Sequence, residues 1–365
     1  MKKVSLLTIH FGANFGSTLQ TIATVEMLKR HGCKTRVVDY IPARYTWKRF
    51  FRRSLRSVTS VLKLPLLLFV EAANRYIYQS FLSRHVTFSR PIHAEDDFAA
   101  VCPKADIYVT GSDQVWNSLH NEGLDKHYYF DGFPDGTRKI AYAASIGRER
   151  LEADEYAEVK RMLGSYKAIS VRETSAKRLI EGMGYEAAHL LDPTFMLTSD
   201  DWLRYMSARL VKEPYLLVYL PYNVHNKTLI YRTIRRISER RRLKVVSFSW
   251  HLLPDRLADR TFYFSSPGDF LSLMGHADYV VTNSFHGTAF SVNLNRQFSV
   301  YLPSGFGTRI TSLLELCGLE GRLLGADEII SDSKADVVID YAPVNAVLET
   351  ERRKAHTFLE QALSD

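Results

Sequence analysis

The stretch "VSLLTIHFGANFGSTLQTIATVEMLKRHGCKTRVVDY" (4–40) decides the fold. VSLLTI (4–9) is apolar at almost every position, the pattern of a strand buried on both faces of a parallel sheet. HFGANFGS (10–17) interrupts it with glycine and asparagine and reads as a loop. TLQTIATVEMLKRHG (18–32) reads as a helix, capped by Ser17 or Thr18 and stopped at Gly32. KTRVVDY (34–40) is the next strand. Strand, helix and strand make a βαβ unit.

Outward from that unit, the alternation first breaks. Residues 42–98 are basic, then apolar, then aromatic, without strand alternation, and read as a helical insertion. The pattern resumes with DIYVTG (106–111), KIAYAAS (139–145), AISVR (168–172) and HLLDP (189–193), with helices near 152–164 and 173–183. A second series runs through YLLVYL (215–220), a charged helix (226–242), KVVSFS (244–249), GDFLSLMGHA (268–277), YVVT (279–282), a helix starting near His286, and FSVYL (298–302). Two such blocks predict an α/β protein of two doubly wound, Rossmann-like domains. The expected boundaries are 1–195 and 196–365, with a linker near 196–213 and a long closing helix at 343–363.

At 365 residues the chain is long enough for two cores, and 46% hydrophobic with 24% charged residues suits a soluble globular protein. The net charge of +8 favours anionic partners. Seven basic residues (Arg44, Lys48, Arg49, Arg52, Arg53, Arg56 and Lys63) occur without an acid among them, interleaved with Trp47, Phe50, Phe51, Leu55 and Val58. A basic, aromatic helix over 44–70 suits the inner-leaflet membrane surface; a solvated helix packed on its domain is the alternative. Nucleic acid is not expected, because no nucleic-acid motif accompanies the charge. LPLLLFV (64–70) is too short to span a bilayer. The apolar run after Met1 is also short, and no cleavage motif follows it, so it reads as a strand rather than a signal peptide. Cys33, Cys102 and Cys317 are odd in number and far apart, so neither a disulfide framework nor a zinc site is expected. The expected compartment is the cytoplasm, with peripheral attachment at the inner membrane as an extension of the insertion reading.

Open α/β sheets bind ligands beyond the carboxyl ends of their strands. The loops there are HFGANFGS (10–17), GSDQVWN (111–117), SIGR (145–148), RE (172–173), DPTF (192–195), PYN (221–223) and NSFHG (283–287). The first matches neither GxGxxG nor a Walker loop. Arg172 ends a strand, where a guanidinium either grips a phosphate or carboxylate or pairs with Glu173 or another nearby acid. His286 opens a helix, where it either handles an anion or packs against backbone. Asp113 and Trp116 suit a site or a cap and a core; Asp192 suits a site or a turn.

These and neighbouring segments, in this order, resemble the polysaccharide pyruvyl transferase family: NFGSTLQTIAT (14–24), VTGSDQVWN (109–117), YAASIG (142–147), SVRE (170–173), LLDPTFML (190–197), DYVVTNSFHGTAFSVNL (278–294) and RITSLLELCGL (309–319). The resemblance implies a GT-B-like fold, two Rossmann-like domains facing across a cleft, the first on the acceptor side and the second on the phosphoenolpyruvate side. It implies transfer of the pyruvyl group of phosphoenolpyruvate to a sugar of a cell-surface polysaccharide, or to its lipid-linked oligosaccharide precursor, as a cyclic ketal. It also implies catalytic roles for Arg172 and His286. Family members often carry an arginine two positions before that histidine; here the position is Ser284, and Arg309 is the expected substitute. The remaining substrate-binding residues are expected to be Asn14, Gly16, Ser17, Gln20, Ser112, Asp113, Gln114, Asn117, Asn283, Ser284 and Gly287. No metal and no cofactor beyond the donor substrate is expected. A nucleotide-sugar glycosyltransferase of the same fold, and a non-catalytic membrane-associated glycan-binding protein, are the alternatives.

Overall fold

The computed structural model describes the chain apart from residues 56, 58–60, 224–225, 250–253, 304–306 and 365. It forms two compact units, Met1–Met196 with Glu351–Asp365, and Leu197–Thr350.

The first unit begins with β1 (Lys2–Leu7), α1 (Phe15–Arg30) and β2 (Cys33–Val37). The insertion follows, framed by β3 (Tyr40–Ile41) and β4 (Ile92–His93), which pair in parallel. It holds α2 (Trp47–Ser54) and α3 (Leu64–Ser83); Arg56 and Val58 lie outside the described residues. Then come α4 (Phe98–Val101), β5 (Ile107–Thr110), β6 (Lys139–Ala144), α5 (Ala153–Leu163), β7 (Tyr166–Val171), α6 (Thr174–Gly182) and β8 (Ala188–His189). The parallel sheet has the order β2-β1-β5-β6-β7-β8. Its winding reverses between β1 and β5, so the loops after those two strands flank the switch point.

Helix α1 starts three residues earlier than the spacing suggests. Asn14, not Ser17 or Thr18, is the cap, and its side chain accepts from Ser17 N. This frees the small polar residues for the buried face. Thr21 and Thr24 return their hydroxyls to the carbonyls of Ser17 and Gln20, both at 2.8 Å, so the hydroxyls are satisfied without water. The chain leaves the helix through Gly32 at φ +73°, a conformation glycine adopts without strain.

The second unit contains α7 (Ser199–Leu203), β9 (Tyr215–Tyr219), α8 (Lys227–Arg241), β10 (Lys244–Ser249), β11 (Arg260–Tyr263), α9 (Pro267–Gly275), β12 (Tyr279–Thr282), α10 (Phe285–Asn293), β13 (Gln297–Tyr301), α11 (Thr308–Cys317), β14 (Leu323–Leu324) and α12 (Asp332–Asp336). Its parallel sheet repeats the winding, β11-β10-β9-β12-β13-β14, with the switch between β9 and β12. Both sheets are therefore Rossmann-like.

The closing helix α13 (Tyr341–Leu363) runs from the second unit into the first. A boundary drawn at 195/196 gives the whole helix to the second domain, but residues from Glu351 onward pack with the first. The reason is local. Arg352 Nε donates to Phe195 O at 2.7 Å, Arg138 Nη2 donates to Ala362 O at 2.8 Å, and Lys2 donates to Leu363 O. Two of these cations meet carbonyls at the helix C-terminus, where the dipole favours them. The three cysteines are buried free thiols, and burial pushes Cys102 up to about 12. Among the described residues no helix is long and apolar enough to cross a membrane.

One irregularity shapes the carboxyl edge of the first sheet. The β6–β7 register shifts between Ala141 and Ala144, and Ala143 sits at φ +50°. Ser170 bridges the gap: its hydroxyl accepts from Ala143 N at 2.9 Å and donates to Ala141 O at 3.0 Å. The bulge re-aims the chain into the next loop. Ser170→Ala removes a buried partner and is expected to lower stability by about 1–3 kcal/mol in chemical denaturation. An unchanged denaturation midpoint would show that the bulge holds itself.

Candidate active site

Two carboxyl edges carry the candidate residues. In the first unit they converge on Arg172, which follows β7. Its side chain is fully buried. Nη1 donates to Asp192 Oδ2 and lies 3.4 Å from Ser112 Oγ; Nη2 lies 3.1 Å from Asp113 Oδ1, and Nε lies 3.8 Å from Glu173 Oε1. Burial alone would pull the guanidinium pKa down, but Asp192, Asp113 and Glu173 outweigh it and raise it. Of the two readings of Arg172, its geometry matches the paired one. A guanidinium enclosed in this way ties the loops that carry those acids together.

The acids around it extend the network. Asp113 sits at φ +72°, which an aspartate tolerates better than most side chains. There its Oδ1 accepts from Gln114 N at 2.9 Å while Oδ2 accepts from Ser17 Oγ. Glu173 accepts from Ser145 Oγ. Asp192 makes its turn as well, accepting from Thr194 N and Oγ1. One arginine thus ties together α1 and the loops after β5, β6, β7 and β8.

The other candidates of this unit fill supporting positions. Gln20 Nε2 donates to Thr8 Oγ1 at 2.9 Å and to Ile9 O at 3.1 Å, holding the loop after β1. Gly16 is buried inside α1. Asn117 donates to Gln114 Oε1 at 2.8 Å and accepts from Leu119 N and His120 N, so both ends of its amide are engaged. Gly147, at φ +66°, lets the neighbouring loop close on it: a Cβ there would fall 2.6 Å from Asn117 Nδ2. Trp116 is core, stacked on Tyr129 at 5.2 Å. Asn14 remains half-buried at the start of α1.

In the second unit the candidates gather at the start of α10. Ser284 is its cap, accepting from Gly287 N at 3.3 Å. The capping hydroxyl also bonds Tyr219. Asn283 clamps the loop after β9, accepting from Tyr222 N and donating to Tyr222 O at 2.8 Å. His286 is buried, with its ring edge-on to Phe285 at 5.2 Å. Arg309, on α11, lays its guanidinium over the same Phe285 ring at 5.5 Å. Gly287, expected among the substrate-binding residues, has a packing role in the structure. A Cβ at Gly287 would fall 2.2 Å from Thr282 Oγ1 and 2.9 Å from Tyr219 Cδ1, so the missing side chain lets α10 pack against β9 and β12.

With this geometry in place, the comparison with known families decides the identity. The polysaccharide pyruvyl transferase model matches residues 14–304. The chain belongs to this family. It is therefore a transferase of polysaccharide biosynthesis. The matched span includes every first-unit candidate and His286, but ends before Arg309. No curated protein matches the sequence.

Solved structures resemble this pyruvyl transferase in fold alone. UDP-GlcNAc 2-epimerase from Neisseria meningitidis bound to UDP-GlcNAc is 8% identical, with 100% of this chain and 99% of that chain covered and a TM-score of 0.52. Anabaena HepE in complex with UDP-glucose is 8% identical, with 99% and 100% covered and a TM-score of 0.54. Arabidopsis thaliana UGT89C1 complexed with UDP-L-rhamnose is 11% identical, with 98% and 94% covered and a TM-score of 0.51. The fold is GT-B-like.

Ser145 is not among the expected site residues, and Asp192 and Glu173 are weighed in the sequence only as a site or a turn and as one candidate partner of Arg172; here all three join one network. The available signal was position: each directly follows a strand of the same sheet. Arg172→Ala strands these buried carboxylates without their counter-ion. It is expected to lower stability by about 3–5 kcal/mol. The deficit should be smaller at pH 5 than at pH 8, because protonation relieves an uncompensated buried carboxylate. A pH-independent loss would show that the acids do not depend on this cation. Gly287→Ala is expected to cost about 1–3 kcal/mol by overpacking, read from its melting curve; wild-type stability would mean that the contact with Thr282 relaxes freely.

Proposed function

We propose that the protein transfers the pyruvyl group of phosphoenolpyruvate to a sugar of a cell-surface polysaccharide or its lipid-linked precursor, forming a pyruvate ketal on the cytoplasmic side. The observation that carries this reading is the family match across residues 14–304, which takes in the loops of both carboxyl edges. A nucleotide-sugar donor has only the shared fold behind it.

The donor carries a phosphate and a carboxylate, so it needs fixed positive charge. Arg309 and the first N–H groups of α10 are assigned to it, with His286 beside them. The acceptor is assigned to the first unit's edge, with Asn14 and Gln114 nearest the outside and Arg172 holding the loops behind them. In the reaction a sugar hydroxyl attacks C2 of the enol while C3 takes a proton. A second hydroxyl then attacks C2 and phosphate leaves. Of the two hydroxyl protons, one ends on C3 and the other on the departing phosphate. His286 is the group assigned to carry one of them.

The test is a thermal-shift titration with phosphoenolpyruvate, a UDP-sugar and inorganic phosphate, on wild type, His286→Ala and Arg309→Ala. A ligand at a hundred times its Kd stabilises by about 2.7 kcal/mol, a shift of several degrees. Phosphoenolpyruvate alone should produce it, and Arg309→Ala should abolish it. His286→Ala should keep the shift but release phosphate roughly a hundredfold more slowly with an acceptor present. A shift with the UDP-sugar instead would overturn the donor assignment.

A further inference from the structure

The insertion that interrupts the first sheet builds a second polar feature beside the switch point. A cavity of about 370 Å³ lies between it and the loop after β1. Gly12 and Ala13 form one wall; Arg44, Arg49, Arg52, Arg53 and Arg75 come from the insertion. Against these five arginines stand only Glu71 and Glu122, leaving a formal excess of three positive charges.

The acids are already engaged. Arg75 Nε donates to Glu71 at 2.7 Å and Arg49 Nη2 to Glu122 at 2.8 Å. Arg52 and Arg53 make no ion pair among the described residues. Arg44 gives Nη1 to Asn121 Oδ1 at 2.7 Å, while its buried Nε and Nη2 have no hydrogen-bond acceptor. Buried guanidinium N–H groups without an acceptor are costly, and a phosphate-type anion satisfies them in the geometry that arginine prefers. Gly12, at φ +93°, places backbone in the cavity wall with the Tyr45 ring packed against it, 3.1 Å from where a Cβ would sit.

The same two helices expose apolar surface. Trp47 and Phe51 on α2, and Leu66, Leu67 and Phe69 on α3, are all exposed, while Phe50 between them is buried. Arg75 lies over the Trp47 ring at 4.3 Å, joining the two helices at the rim. Cationic cavity and apolar flank together match an amphiphile with a phosphate-rich head.

We propose that this cavity binds the diphosphate of a lipid-linked acceptor, with the lipid chain lying along the exposed apolar side of α2 and α3. The inference rests on the pyruvyl transferase reading only for calling the ligand an acceptor; the binding itself is independent of it. Free diphosphate shares the chemistry of the head, so the test separates the two sources.

The experiment measures binding of the full chain to phosphatidylcholine vesicles, alone, with a polyprenyl diphosphate, or with phosphatidylglycerol at equal charge, each with and without inorganic pyrophosphate. The variant is Arg52→Ala with Arg53→Ala, both exposed, and its circular dichroism and response to phosphoenolpyruvate should match wild type. Wild type is expected to prefer the polyprenyl diphosphate vesicles, pyrophosphate to compete, and the double variant to bind roughly thirtyfold more weakly. Equal binding to phosphatidylglycerol without competition would overturn the cavity in favour of a general anionic surface. Binding of pyrophosphate with no gain from the lipid would overturn the lipid-borne source. No binding to any vesicle while phosphoenolpyruvate still stabilises the protein would overturn the inference and leave the proposed reaction standing.

Discussion

A guanidinium removed from water has to be surrounded by charge of the opposite sign or it unfolds what encloses it. Arg172 meets this demand with Asp113, Glu173 and Asp192, each delivered by a loop that leaves the carboxyl end of the first sheet. The loops cannot move independently, because shifting any of them uncovers a buried ion. Ser17 and Ser145 extend the constraint into α1 and the loop after β6. The rim of the first unit is therefore one electrostatic assembly, and the accessible groups around it inherit its rigidity.

The second unit holds its rim by different means. Asn283 fixes the loop after β9 through both ends of its amide, and Ser284 closes the start of α10. Close helix–strand packing at Gly287 does the rest. Neutral hydrogen bonds and packing fix this rim, whereas the rim of the first unit is fixed by ion pairs around one buried guanidinium.

Much of the architecture was legible in the sequence because parallel strands buried on both faces read as unbroken apolar runs. VSLLTI, DIYVTG, YLLVYL and YVVT all fall on strands for that reason. Strand β11 escaped notice because its residues are half-exposed and carry no such run. The cap of α1 was misplaced because Asn14, Ser17 and Thr18 are all good caps, and only packing selects among them. Arg172 stood out by its position after a strand, and Glu173 or a nearby acid was its expected ionic alternative, but the full set of three acids was not legible. Residues 113, 173 and 192 are far apart in the chain or look like ordinary turn and surface acids, and only the sheet order brings them together. The packing of Gly287 against Thr282 and Tyr219 was likewise not legible, because those residues lie on strands β12 and β9.

The division of α13 between the units has a consequence for synthesis. Domains generally fold as they emerge, the N-terminal one first. Here the first unit is discontinuous, since Glu351–Asp365 belongs to it, while the second is an uninterrupted segment. The second unit can thus complete its core while the first still lacks the helix that Arg138 and Lys2 hold. On the ribosome the order of completion runs against the order of the chain, and the assembly around Arg172 matures on a unit that is sealed last.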